Sequence, residues 1–411
     1  MEPPHFFTLP CVSVFAVFIS SAAAEEAVFF RIAAPVPVDI TEVTADGWIT
    51  WSNPAATATF TIQTATSPSK EAHWRDWAQV PMSGTGTTHR TFDPSPPDGL
   101  VWIPAGSFAM GDMVGSVAGG DQTDPYDETP VHSVYVSGFY MQASGVTNDQ
   151  MAAVLQWAYD EGGKITVSSW SVRNVESDRE LLDLDESHCR ITWNGAAEQF
   201  ELKAAKGSGY PCVEVTWHGA AAYCNYRSEM EGLTPCYDLA GWSCSFGANG
   251  YRLPTEAEWE KAGRGGRSGW RFPWGDKISH SEANYYSYWS GGSPYYSYDV
   301  NPDSGYHPDW GEGDYPYTSP AGSFAPNGYG LYDMAGNVWE WCNDWYGGGY
   351  YGAPEASQPD PPGPAAGSGR VLRGGYWGNV ASGCRVADRY SSYPDGGGYC
   401  CGFRPVRRPP P

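Results

Sequence analysis

Between Gly99 and Arg408 this chain offers only three segments with a helix-start signal. In VTNDQMAAVLQWAYDEG (Val146–Gly162), Thr147 and Gln150 make a capping box, and Met151, Val154, Leu155 and Ala158 fall on one face. A second helix is expected after Thr216 in TWHGAAAYCNYRSEMEG. A third begins at TEAEWEKAGR, where Thr255 and Glu258 repeat the capping box. The rest reads as short strands and loops. GLVWIPAGSFAMG (Gly99–Gly111) is a strand, a turn and a second strand, and RITWNGAAEQFELK (Arg190–Lys203) is a hairpin around Asn194-Gly195. So few regular elements, with 50 Gly, 19 Trp and 27 Tyr in 411 residues, exclude a helical bundle. They point to an α+β domain of irregular loops packed on aromatic side chains.

Upstream, WITWSNPAATATFTIQTAT (Trp48–Thr66) alternates apolar and polar residues around an Asn-Pro turn. This segment resembles a small fibronectin-type-III-like β-sandwich. DPSPPD (Asp93–Asp98) reads as a stiff linker. The run LPCVSVFAVFI (Leu9–Ile19), followed by Ala22-Ala23-Ala24, reads as an export signal, although no Lys or Arg precedes it. The expected organisation is therefore a signal over 1–24, a β domain over 25–92, a linker over 93–98 and the large domain over 99–408. The chain is expected to be exported to a periplasmic, cell-surface or extracellular location, with no transmembrane segment in the mature protein. Its formal charge of −23 argues against nucleic acid as a partner and suits a protein that holds divalent cations. Without Cys11 nine cysteines remain, and in an oxidising compartment some should pair, with Cys236 and Cys244 flanking a short loop as plausible partners.

Several motifs together resemble the formylglycine-generating-enzyme, or sulfatase-modifying-factor, family. They are IPAGSFAMG, ETPVHSVYVSGFYMQASGVTNDQ (Glu128–Gln150), YRLPTEAEWEKAGRGG (Tyr251–Gly266), FPWG, NGYGLYDMAGNVWEW (Asn327–Trp341), and RGG at Arg373–Gly375 with GFR at Gly402–Arg404. The resemblance implies a C-type-lectin-like fold. It also implies structural Ca²⁺, held by the Asp333 and Glu340 carboxylates and the Gly336 and Val338 carbonyls. A second Ca²⁺ would use Asn284, the Tyr285 carbonyl, and Asp314 or Glu312. Hard oxygen donors on a tight Gly-containing loop suit that ion.

Enzymes of this family convert a sulfatase Cys to formylglycine with Cu(I) held by two thiolates, a sensible choice for a soft ion. Here Asn379 stands at the first Cys position. The second falls near Ser382–Gly383, and Cys384 belongs to a different column. No copper and no catalytic residue are therefore expected. His132 and His218 sit singly in structural motifs and read as core residues.

The frame also resembles the target proteins of diversity-generating retroelements. These rewrite a C-terminal segment on a lectin-like scaffold by mutating template adenines, mostly in AAY codons. Such codons cannot yield Lys, Glu, Gln, Met or Trp. In RGGxWxxxAxxCRVAxRxxxxPDxxxxxxGFR the open positions are Tyr376, Gly378, Asn379, Val380, Ser382, Gly383, Asp388, Tyr390, Ser391, Ser392, Tyr393, Gly396, Gly397, Gly398, Tyr399, Cys400 and Cys401. All are reachable, and the one Trp, Trp377, is in the frame. The expectation is a binder of a protein, peptide or glycan ligand through a variable face over 376–401. A non-diversified binding module and a formylglycine-generating-type oxidase stay open as alternatives.

Overall fold

The computed structural model describes residues 97–115 and 127–408, together with the backbone of seven strands between Val12 and Arg90. The chain divides into two compact units. One takes residues 1–98 with 102–107 and 135–139, and the other takes 99–101, 108–134 and 140–411.

In the first unit the seven strands make a four-stranded and a three-stranded antiparallel sheet. They do not support the expected fibronectin-type-III-like domain. The strand Val12–Ser21 runs through the apolar segment read as a signal and pairs along its whole length with Ala24–Ala33, which no sandwich beginning at residue 25 would contain. Most of the DPSPPD linker lies outside the described residues.

The second unit is rich in short sheets and carries three α-helices among the described residues: α1 (Asn148–Asp160), α2 (Trp217–Met230) and α3 (Glu256–Gly263). Both capping boxes form, at Thr147 with Gln150 and at Thr255 with Glu258. Helix α1 buries the expected Met151, Val154, Leu155 and Ala158. Helix α2 is buried almost all round, so its sequence carries little amphipathic signal. It lies flush against Leu181, because Gly219 leaves no room there for a Cβ: one would sit 1.9 Å from the Leu181 carbonyl oxygen.

The hairpin forms between Ile191–Asn194 and Gln199–Leu202, but Asn194 pairs with Gln199. The turn is thus four residues long instead of a two-residue Asn-Gly turn. The Asn194 side chain accepts from the Ala196 and Ala197 amides and holds the wider loop. Near the C-terminus Val406 and Arg407 fill a gap in a sheet, between Met141 and Tyr140 on one side and Arg252 and Tyr251 on the other.

A four-stranded sheet carries the segment of interest. Its spatial order is Arg389–Ser392, Arg370–Arg373, Trp339–Trp345, Cys401–Gly402. The last pairing is parallel, with Trp339 opposite Cys401. Trp217, Trp259 and Trp341 are fully buried around this sheet. The nine described cysteines are free thiols, so the expected Cys236–Cys244 pairing is not formed. Instead Tyr237 bridges Cys244, and the Cys236 thiol donates to the Gly250 carbonyl at 3.4 Å. His218 is buried, as its motif suggested, whereas His132 is only half-buried.

Candidate functional site

The frame residues are fixed by buried charge. Arg373 Nη2 donates to Glu260 Oε2 at 2.5 Å and to the Val386 carbonyl, and Nη1 clamps the carbonyls of Ala387 and Asp388, while Nε has no hydrogen-bond partner. Arg385 makes a two-pronged pair with Glu128, with both bonds at 2.7 Å. Arg389 does the same with Glu256 at 2.6 and 2.8 Å. Arg404 grips Glu340 with three bonds of 2.6–2.9 Å, and Trp259 Nε1 donates to the same carboxylate at 2.7 Å. The four arginines are buried, and each pair joins segments far apart in sequence. Such forked guanidinium–carboxylate pairs fix orientation as well as charge.

The open positions separate into three groups. Asn379, Val380, Ser382, Gly383, Asp388, Tyr390 and Ser391 line one cavity of about 440 Å³, together with Trp339, Asp127 and Tyr346. The Tyr390 ring, 55% exposed, stacks on Trp339 with centroids 5.4 Å apart. Tyr376 and Tyr399 join a second, aromatic group around the buried Trp377, which also contacts Tyr306, Tyr315 and Tyr317. Ser392, Tyr393 and Gly396–Gly398 form the third, along the sheet edge and the following turn, where Tyr393 is 72% exposed. Gly378 packs against the ring of Tyr376.

Burial narrows the expected set. Cys401 is covered because it pairs with Trp339 in the parallel ladder, and its sulfur lies 3.5 Å from that of Cys400. Ser382, Gly383 and Asp388 are also buried, although they line the cavity. Burial pushes the Asp388 carboxyl well above its usual range, against the opposing pull of Arg385. Trp339, Asp127 and Tyr346 were not anticipated as cavity residues. The Trp339 motif reads as core, and the other two lie far away in sequence.

Asn379 serves as a turn residue: its Oδ1 accepts from the Tyr376 amide at 3.0 Å, and its carbonyl accepts from the Tyr286 amide at 2.8 Å. Cys384 is buried in the cluster of Ala381, Tyr285 and Ala335, and burial holds its thiol well above the ordinary value.

The calcium residues divide. Asp333 (φ 54°), Gly336 (φ 75°) and Asn337 (φ 66°) turn the DMAGN loop sharply, and a Cβ on Gly336 would strike the Asn284 carbonyl oxygen at 2.3 Å. Asp333 Oδ2 accepts from the Gly322 amide at 2.6 Å. Its Oδ1 is buried without a partner, and burial pushes the carboxyl up to about 6. An orphaned buried carboxylate oxygen on this sharply turned loop is the kind of hard donor such a cation takes. Glu340 is committed to Arg404 and Trp259 instead. In the second set, Asn284 Nδ2 donates to the Tyr317 carbonyl, the Tyr285 carbonyl accepts from His280, and Asp314 and Glu312 are exposed.

Residues 87–409 match the family model described as the sulfatase-modifying factor enzyme 1-like domain. The chain is 33% identical over 317 residues to a formylglycine-generating enzyme of Streptomyces coelicolor, covering 74% of this chain and 88% of that one. It is 31% identical to the inactive C-alpha-formylglycine-generating enzyme 2 of Bos taurus, covering 74% and 86%. Among solved structures it is similar to Treponema denticola variable protein 1, at 26% identity and a TM-score of 0.50, covering 75% of this chain and 95% of that one. Matched over residues 87–409, most of its length, the chain belongs to the sulfatase-modifying factor enzyme 1-like family.

Proposed function

We propose that this chain is a ligand-binding member of the family, in which the buried frame holds the residues between Gly375 and Gly402 as an exchangeable recognition face. The observation that carries this reading is the split within one segment. Arg373, Arg385, Arg389 and Arg404 are inside and paired, while seven open positions line a single cavity and Tyr390 and Tyr393 project from it or beside it. Tyr gives rigid amphipathic contact and Ser, Asn and Gly give adaptable hydrogen bonding, the chemistry of a paratope. The ligand class is a protein, peptide or glycan. The likeness to a variable protein and the restricted residue set support exchange of these residues between copies of the gene. A structural Ca²⁺ would use Asp333 with the Gly336 and Val338 carbonyls, supplying positive charge to a carboxylate whose Oδ1 otherwise has no partner.

The test is sequencing of the last codons across a population of cells, with a search of the locus for a reverse transcriptase and a near-copy of the segment. Variation confined to open codons is the expected result; an invariant segment with no template copy refutes diversification. At the protein level, exchanging Asn379, Ser391, Tyr393 and Tyr399 together should shift the melting temperature by only roughly 5 °C or less.

The second reading is a formylglycine-generating oxidase, favoured by the identity to the Streptomyces enzyme. Incubation with copper, oxygen and a Cys-Pro-X-Arg peptide decides it. Unoxidised Cys is the expected result, and turnover would establish the oxidase.

A further inference from the structure

Arg370, at the start of the strand Arg370–Arg373, differs from the other arginines of the frame. Among the described residues no carboxylate comes within ion-pairing distance of it. Its guanidinium is sandwiched instead between two indoles, 3.8 Å from the Trp217 centroid and 3.6 Å from that of Trp345. A stacked guanidinium can donate only through its edge. One edge donor, Nη1, reaches the Asn343 carbonyl at 2.5 Å, while Nε is buried with no partner. The side chain is 8% exposed, and burial lowers its pKa to about 10. The nearby Asp344 is spoken for, since it accepts from the Glu256 amide at 2.9 Å and burial holds it well above the ordinary carboxylate range.

Arg370 lines a cavity of about 160 Å³. Trp242 lines the same cavity, and its indole Nε1 is a second buried donor without a partner. Trp242 is held at φ 61°, a left-handed conformation that a bulky residue adopts only at a cost. The remaining walls include Phe246, Trp345, Pro362 and Pro364. A guanidinium whose Nε has no partner and an indole N–H likewise without one belong to walls of the same cavity, which Ser243, Cys244 and Asn343 complete. Two unmet buried donors are costly unless an acceptor is supplied, and a planar carboxylate matches the guanidinium edge.

We propose that the Arg370–Trp242 cavity binds the carboxylate of a small organic acid, with its apolar part against the Trp345, Phe246 and proline walls. The site is separate from the loop positions discussed above and does not depend on their role.

The test titrates the full chain with benzoate, with its neutral counterpart benzamide and with inorganic phosphate, read by calorimetry and melting temperature. Benzoate should bind saturably and raise the melting temperature, with benzamide weaker by roughly tenfold or more, the loss of one charge-assisted bond. Arg370→Gln should abolish the difference. Trp242→Phe, which keeps the wall but removes the donor, should weaken benzoate several-fold and guards against misfolding of the Arg370 variant. Equal binding of benzoate and benzamide, phosphate binding without benzoate binding, no saturable benzoate binding, or full benzoate binding by folded Arg370→Gln would each overturn the assignment. Gly-Gly-Phe as free acid and as amide separates the two sources of such a group. Tighter binding of the acid than of benzoate assigns the site to a chain terminus, and weaker binding assigns it to a free acid.

Discussion

Replacing Arg389 with Met should separate the frame from the loops it holds. The Arg389 side chain is fully buried. It makes two bonds to Glu256, one of 2.7 Å to the Asp127 carbonyl, and stacks at 4.2 Å on Tyr351. Met keeps the apolar stem and loses every donor. The Glu256 carboxylate then stays buried with Arg373 Nε no closer than 3.8 Å and a Tyr351 hydroxyl at 3.3 Å. Removing one partner of such a pair costs about 3–5 kcal/mol, because the surviving charge cannot reach water. For a domain of this size that lowers the melting temperature by roughly 10 °C. Urea unfolding should show a lower midpoint at unchanged slope. Tyr393→Ala, four positions along the same strand and turn but 72% exposed, should change stability by no more than about 0.5 kcal/mol. The double variant Arg389→Met/Glu256→Met should recover part of the loss, since no lone charge remains. Equal costs for Arg389→Met and Tyr393→Ala would refute the separation of frame from face.

Three further predictions concern other sites. Calcium should raise the melting temperature more at pH 8 than at pH 5, because the Asp333 carboxyl, at about 6, must ionise to bind it, and Asp333→Asn should remove the effect; a calcium response retained in that variant speaks against the loop. Glu214 is raised to about 7 by burial and by Glu186 and Asp183, so the folded state holds a proton that the unfolded chain has released. Its contribution therefore falls as pH rises from about 4.5 to about 7, and Glu214→Gln should gain stability over the parent across that window, as melting curves against pH would show. Gly219→Ala should cost at least ~2 kcal/mol in chemical denaturation, since the new methyl overlaps the Leu181 carbonyl and α2 must move.

The helices were legible in the sequence because their signals are local. Thr147 with Gln150 and Thr255 with Glu258 lie three residues apart, and both boxes form. The Asn194-Gly195 hairpin was legible in kind but not in turn length, because the Asn194 side chain satisfies two amides of a wider loop. The RGG and GFR ends stood out as framework, but not the reason. Their arginines find Glu260 and Glu340 across 113 and 64 residues, and no periodicity records such a partnership. The cavity shows the same limit. Asn379 to Ser391 could be read as one segment, whereas Asp127 and Trp339 join it only through the fold. The Glu340 carboxylate, assigned to calcium by its motif, is held by an arginine that the motif does not contain.

The strand Val406–Arg407 fills its gap between Tyr140–Met141 and Tyr251–Arg252 only a few residues after the last open position. During synthesis the sheet stays incomplete until Val406 and Arg407 leave the ribosome. Arg404, which neutralises Glu340 on the strand Trp339–Trp345, arrives equally late. A message that loses its reading frame, or acquires a stop codon, anywhere between Gly375 and Gly402 therefore yields a chain with an open sheet and an unpaired buried carboxylate. The fold proofreads the segment it carries: only copies translated in frame through Arg407 can close the sheet.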